Sequence, residues 1–97
     1  MSPCRLLVTY TAKPGQREAF LQAVAESGAV AKIRAEDGCL GYAYYRAVDD
    51  PDVVLLVEAW ASAEQQARHL AQPHMADVMA AKERYVQETG VTRYPHD

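Results

Sequence analysis

The sequence predicts an α+β fold: a four-stranded antiparallel sheet with helices on one face. Three observations carry that prediction. Short apolar and β-branched runs alternate with helical periods in the order β-α-β-β-α-β. Turn signals separate them at Lys13-Pro14-Gly15, Asp37-Gly38 and Asp49-Asp50-Pro51-Asp52. The run from Val53 to Ala61 is apolar almost without interruption, a pattern that demands cover on both faces.

Each element has its own justification. Cys4 to Thr11 mixes apolar and β-branched residues, as a strand does. Lys13-Pro14-Gly15 stops it, and Pro14 suits the first turn of a helix, where its missing N–H is no loss. Gln16 to Glu36 is helical by period. Phe20, Val24, Ala31 and Ala35 share one stripe, with Leu21 and Gly28 at its edge. A glycine inside a helix costs about 1 kcal/mol against alanine, so Gly28 implies close packing there. Gly38 is placed to take a left-handed cap.

Cys39 to Val48 is the second strand, with Leu40, Tyr42, Tyr44 and Arg46 on one face and Gly41, Ala43, Tyr45 and Ala47 on the other. Val53 to Ala61 is the third. Ser62-Ala63-Glu64-Gln65 reads as a capping box opening a helix to about Gln72. Pro73 restarts the path, and a second short helix runs to about Lys82. Tyr85 to Tyr94 is a last, irregular strand around Gly90. Right-handed crossovers make this order the ferredoxin-like arrangement, with the first strand beside the third. Cys4 and Cys39 then lie on non-adjacent strands and stay reduced.

The 97 residues make a single domain, residues 1–97. Forty-nine per cent are hydrophobic and 24% charged, more apolar surface than so small a core needs. A homodimer is the expected remedy. The formal net charge of −3 comes with no clustered Lys or Arg stripe, so nucleic acid is not expected. No apolar run approaches the ~20 residues of a membrane span. Ser2-Pro3-Cys4-Arg5 leads directly into a strand without an apolar leader, and two cysteines lack CxxC spacing. The expectation is a cytoplasmic location.

The chemistry gathers between Val57 and Met75, where Glu58, Trp60, His69 and His74 fall around one strand-to-helix corner. Leu56, Glu58 and Trp60 alternate onto one strand face. Trp60 offers a flat wall and one N–H donor, or simply fills core. A lone carboxylate in an apolar strand must be paired, protonated or at the rim, so Glu58 is a structural partner or orients a histidine. His69 suits proton abstraction near neutrality, or a hydrogen-bonded seam between helix and sheet. His74, after Pro73, is a helix cap, a surface residue or a site residue. The two histidines are five apart across a proline, with no carboxylate at ligand spacing, so no metal is expected.

Pro14-Gly15 before a helix bearing Phe20, then Glu36-Asp37-Gly38-Cys39-Leu40-Gly41-Tyr42, Glu58-x-Trp60-x-Ser62 and His69-Leu70-x-x-Pro73-His74-Met75, together resemble the antibiotic biosynthesis monooxygenase (ABM) superfamily. Its small quinol monooxygenase branch is the part most resembled, over about Leu6 to Tyr94. The resemblance implies a dimer of ferredoxin-like subunits packed sheet to sheet as an α+β barrel. It implies a pocket between helices and sheet in each subunit, toward which Leu56, Glu58 and Trp60 look. Tyr42, on the helix-facing side, His74 and Met75 join the candidate lining, and Tyr45 faces the dimer interface. Haem-degrading members carry a histidine near the position of Met79 and an asparagine in the stretch matching Leu7-Val8-Thr9, so haem is not implied. Polyketide oxygenases carry an asparagine where Leu56 stands.

The expected function is cofactor-free oxidation of an electron-rich quinol or polyphenol by O2, with His69 as base, Glu58 beside it and Trp60 stacked on the ring. Two other readings stay open. One is a non-catalytic dimer that binds a small aromatic. The other is an isomerase of a small phosphorylated ketone, which needs a cationic clamp from Arg34, Arg46 and Arg68.

Overall fold

The computed structural model describes residues 3–95. The chain runs β1 (Cys4–Ala12), α1 (Arg17–Ser27), α2 (Ala29–Arg34), β2 (Cys39–Arg46), β3 (Val53–Trp60), α3 (Ala63–Leu70), α4 (Met75–Tyr85) and β4 (Val86–Pro95). One sheet of order β2-β3-β1-β4 has every neighbour antiparallel. This is the ferredoxin-like α+β topology, with β1 beside β3 as the crossover rule requires. Val8 pairs with Leu56 on one side and Val91 on the other.

Strand alternation sends Leu6, Val8 and Tyr10 of β1 and Val54, Leu56 and Trp60 of β3 to one face, all buried. Phe20 and Val24 of α1, Ile33 of α2 and Val78 of α4 close over them. The other sheet face carries Leu7, Ala43, Leu55 and Val57 and has no layer over it; Val57 is 41% exposed. The two-sided cover that β3's apolar run demands is therefore present on one side only. No helix of the described residues is long and apolar enough to cross a membrane.

Several expectations are corrected. The helix expected over 16–36 is two helices, because Gly28 adopts φ 74° and breaks the ladder. A Cβ at Gly28 meets nothing within 4 Å, so left-handed backbone, not close packing, is the reason for glycine. The break rotates the inward stripe of α2: Ala29 and Ile33 are buried, while Ala31 and Ala35 are exposed. Pro14 lies in the preceding turn, with Gly15 at φ 76°, and α1 starts at Arg17.

The register slips between Cys39 and Gly41, which throws Leu40 out to solvent instead of onto the face of Tyr42. Ser62 caps α3 by accepting from the Gln65 N–H at 3.2 Å. The Gln65 side chain does not return to the Ser62 backbone. It accepts from the Ser62 hydroxyl and donates to Asp37. Finally, α4 runs on to Tyr85, and β4 is regular along β1 but for one shift near Ala12.

Candidate functional site

Four of the expected residues converge where β2 and β3 meet α3. Glu58 and Trp60 project from the same face of β3 toward the helices, and Tyr42 lies opposite Glu58 on β2. His69 comes down from α3. The His69 ring lies against the Trp60 indole, centroids 4.7 Å apart and planes 35° apart, with the Tyr42 ring centroid at 5.8 Å in an edge-on arrangement. His69 is 2% exposed and Trp60 fully buried.

The expected open space between Trp60 and His69 is absent. A flat guest between two rings needs them about 7 Å apart, two van der Waals contacts in series. These rings touch. Open clefts lie elsewhere. One, along α1 and β2, is lined by Leu21, Gln22, Tyr44, Tyr45 and the Glu18–Arg46 ion pair. Another lies over Glu36 and Asp37, beside Gln65, Arg68 and Gln72.

Glu58, 6% exposed, accepts a 3.0 Å hydrogen bond from the Trp60 Nε1–H. Its carboxyl stands 4.0 Å from His69 Nε2, beyond hydrogen-bond reach. Burial pushes this carboxyl above the ordinary carboxylate range, against the pull of the Trp60 N–H and of His69. The orienting role expected of Glu58 falls to another acid. His69 Nδ1 lies 3.0 Å from Glu36 Oε2, and His74 Nε2 lies 2.7 Å from the same oxygen.

Glu36 is not among the candidates that the sequence yields. One signal for it exists: an acid just past the C-terminal end of a helix sits against the negative end of the dipole, and such a misfit points to a specific partner. His74 stands at the start of α4 but its side chain caps nothing; it reaches Glu36 instead. Leu56 and Met75 pack in the core, Leu56 two residues before Glu58 on the same strand face.

The Tyr42 and Tyr44 hydroxyls are 3.3 Å apart, and burial pushes both phenols above their ordinary value. Cys4 and Cys39 each pair with Trp60 across the sheet, one from β1 and one from β2. Two strand spacings, nearly 10 Å, separate them, too far for a disulfide; both are free thiols.

The fold supplies the carboxylate that sequence spacing lacked, yet among the described residues no group of His, Cys, Asp or Glu is arranged to hold a metal ion. The short N···O distances are those of hydrogen bonds. The three candidate clamp arginines do not converge. Arg34 donates to the Tyr42 carbonyl, Arg46 binds Glu18 and Arg68 binds Glu64. The phosphorylated-ketone reading loses the feature it needs. What remains is a buried imidazole held at one nitrogen, with its other nitrogen facing a carboxyl group of raised proton affinity.

The family model for antibiotic biosynthesis monooxygenase matches residues 3–81. No curated protein matches the chain. Among solved structures, a Pseudomonas aeruginosa protein is 27% identical with a TM-score of 0.86, covering 100% of this chain and 96% of its own. A Bacteroides thetaiotaomicron protein described as of unknown function and a possible oxidoreductase is 26% identical with a TM-score of 0.83, covering 97% of each chain. A Chloroflexus aurantiacus protein, a candidate antibiotic biosynthesis monooxygenase, is 28% identical with a TM-score of 0.74, covering 94% of this chain and 91% of its own.

Proposed function

The chain belongs to the antibiotic biosynthesis monooxygenase family, and from that membership we propose that it is a cofactor-independent monooxygenase of an electron-rich quinol or polyphenol. The observation that carries the reading is the buried His69 imidazole, fixed at Nδ1 by Glu36 and flanked by Trp60 and Glu58. In the proposed reaction Nε2 takes a phenolic proton from the substrate. With a phenol pKa near 10, that ionisation costs about 4 kcal/mol at neutral pH, which the imidazolium partly offsets. The phenolate gives one electron to O2, and the resulting superoxide and semiquinone combine at a ring carbon. The imidazolium returns its proton to the peroxide, and the hydroperoxide then loses water, leaving one oxygen atom as a carbonyl in a hydroxyquinone-type product.

Burial raises the proton affinity of Glu58, which lessens the repulsion its carboxyl exerts on a substrate anion. Substrate entry requires α3 to swing off the sheet. That helix is suited to it, because its only buried side chains are Gln66 and His69, both polar. A second copy covers the bare sheet face in this reading, so the working form is a homodimer.

His69→Ala is expected to abolish quinol-dependent oxygen uptake at an oxygen electrode while thermal melting remains cooperative. Uptake equal to wild type sinks the assignment. One observation favours a second reading, a dimer that binds an aromatic without turning it over: the direct Trp60–His69 contact. Quinols that raise the melting temperature without oxygen uptake would select it.

A further inference from the structure

We infer that Glu36 is the positioning residue of the His69 base, and that His74 steadies Glu36 with a second hydrogen bond to the same oxygen; the inference rests on His69 being the base. Three separate segments meet at one oxygen atom. Glu36 lies beyond the end of α2, His69 is on α3 and His74 precedes α4. Glu36 Oε2 takes His69 Nδ1 at 3.0 Å and His74 Nε2 at 2.7 Å. The side chains of His69, Glu36 and His74 are 2%, 10% and 12% exposed, so the row runs outward from the sealed imidazole.

The atoms dictate the chemistry. A carboxylate only accepts hydrogen bonds, so each imidazole donates to it. Donation from Nδ1 leaves Nε2 of His69 as the lone-pair nitrogen, on the side of Glu58 and Trp60. When Nε2 gains a proton, the imidazolium rests beside a carboxylate. The Nδ1–H stays on its nitrogen, so the proton taken up at Nε2 leaves again from Nε2, to the peroxide formed on the substrate. His74 holds the shared Glu36 oxygen from the other side through its Nε2–H, so Glu36 stays an acceptor and the row ends each turnover as it began.

No other acid among the described residues competes for the two imidazoles. Glu58 is 4.0 Å from Nε2 of His69 and is engaged by the Trp60 N–H. Asp37 is held by Gln65. The nearby cations are likewise engaged: Arg34 on the Tyr42 carbonyl, and Arg68 on Glu64. Cys39 and Tyr42 on β2 are further titratable neighbours, and burial pushes the thiol and the phenol up.

The test uses the full chain labelled with ring-15N histidine, together with quinol-dependent oxygen uptake. Wild type is expected to show His69 as the Nδ1–H tautomer. Glu36→Gln is expected to give a mixture of tautomers and to lower kcat about tenfold or more at similar KM. Glu36→Asp restores part of both. His74→Ala is expected to shift tautomer and kcat in the same direction as Glu36→Gln but less, because one of the two donors on the shared oxygen is lost. An unchanged tautomer in both Glu36 variants overturns the positioning role. A His74→Ala tautomer and rate equal to wild type overturn the part given to His74. Full uptake by His69→Ala instead overturns the assigned base, and the tautomer result still reads the Glu36 contact independently.

Discussion

The Glu58 carboxyl, bonded to the Trp60 indole, gives the fold a pH dependence of its own. Burial raises the proton affinity of Glu58 above its ordinary value of 4.5. The folded state therefore holds this proton more tightly than the unfolded chain. The stabilisation is complete below the unfolded value and is lost as pH rises through the raised folded one. Glu58→Gln keeps the acceptor for Trp60 and removes the ionisation. Wild type should therefore lose stability relative to Glu58→Gln as pH rises from about 4.5 through the raised folded value, read as urea midpoints. A constant difference across that range contradicts a raised Glu58. At this scale the sequence is legible where a residue is at odds with its own neighbours. An acid in an apolar strand announces Glu58. Glu36 stays hidden because its partners are 33 and 38 positions away, and only the fold brings them to it.

Among the elements, the pair α1 and α2 marks where periodicity misleads. The stripe of Phe20 and Val24 continues by arithmetic to Ala31 and Ala35, but a left-handed residue turns the chain and Ala29 and Ile33 go inward. Helix propensity alone favours Ala over Gly at position 28 by about 1 kcal/mol. The observed φ reverses the sign, since a side chain in that region costs about 1–2 kcal/mol. Gly28→Ala should thus destabilise by about 1 kcal/mol in chemical denaturation. A stabilised variant means the helices join across position 28. Where a local hydrogen bond sets the boundary, as Ser62 does for α3, sequence and structure agree. The cleft-forming contacts of β2 are less legible, because the slip at Leu40 comes from pairing with β3 and leaves no local mark.

For the molecule as a whole, the order of elements determines the topology, since handedness and adjacency leave few ways to arrange four strands and their crossovers. What the order cannot convey is whether a cavity remains once the side chains interlock, and Trp60 on His69 fills the one expected. The uncovered sheet face carries the assembly proposal. Val57→Glu puts a charge in the middle of that face without touching the helix side. It should convert a dimer to monomers in light scattering after size exclusion, with the melting temperature lowered by the lost association. A wild-type monomer at micromolar concentration rejects the paired barrel. The chain has one tryptophan, and it is the residue stacked on His69. Its ultraviolet emission is therefore an unlabelled optical gauge of that imidazole's surroundings: quenching, polarity and rotational freedom at this spot can be followed in real time, free of signal from any other indole.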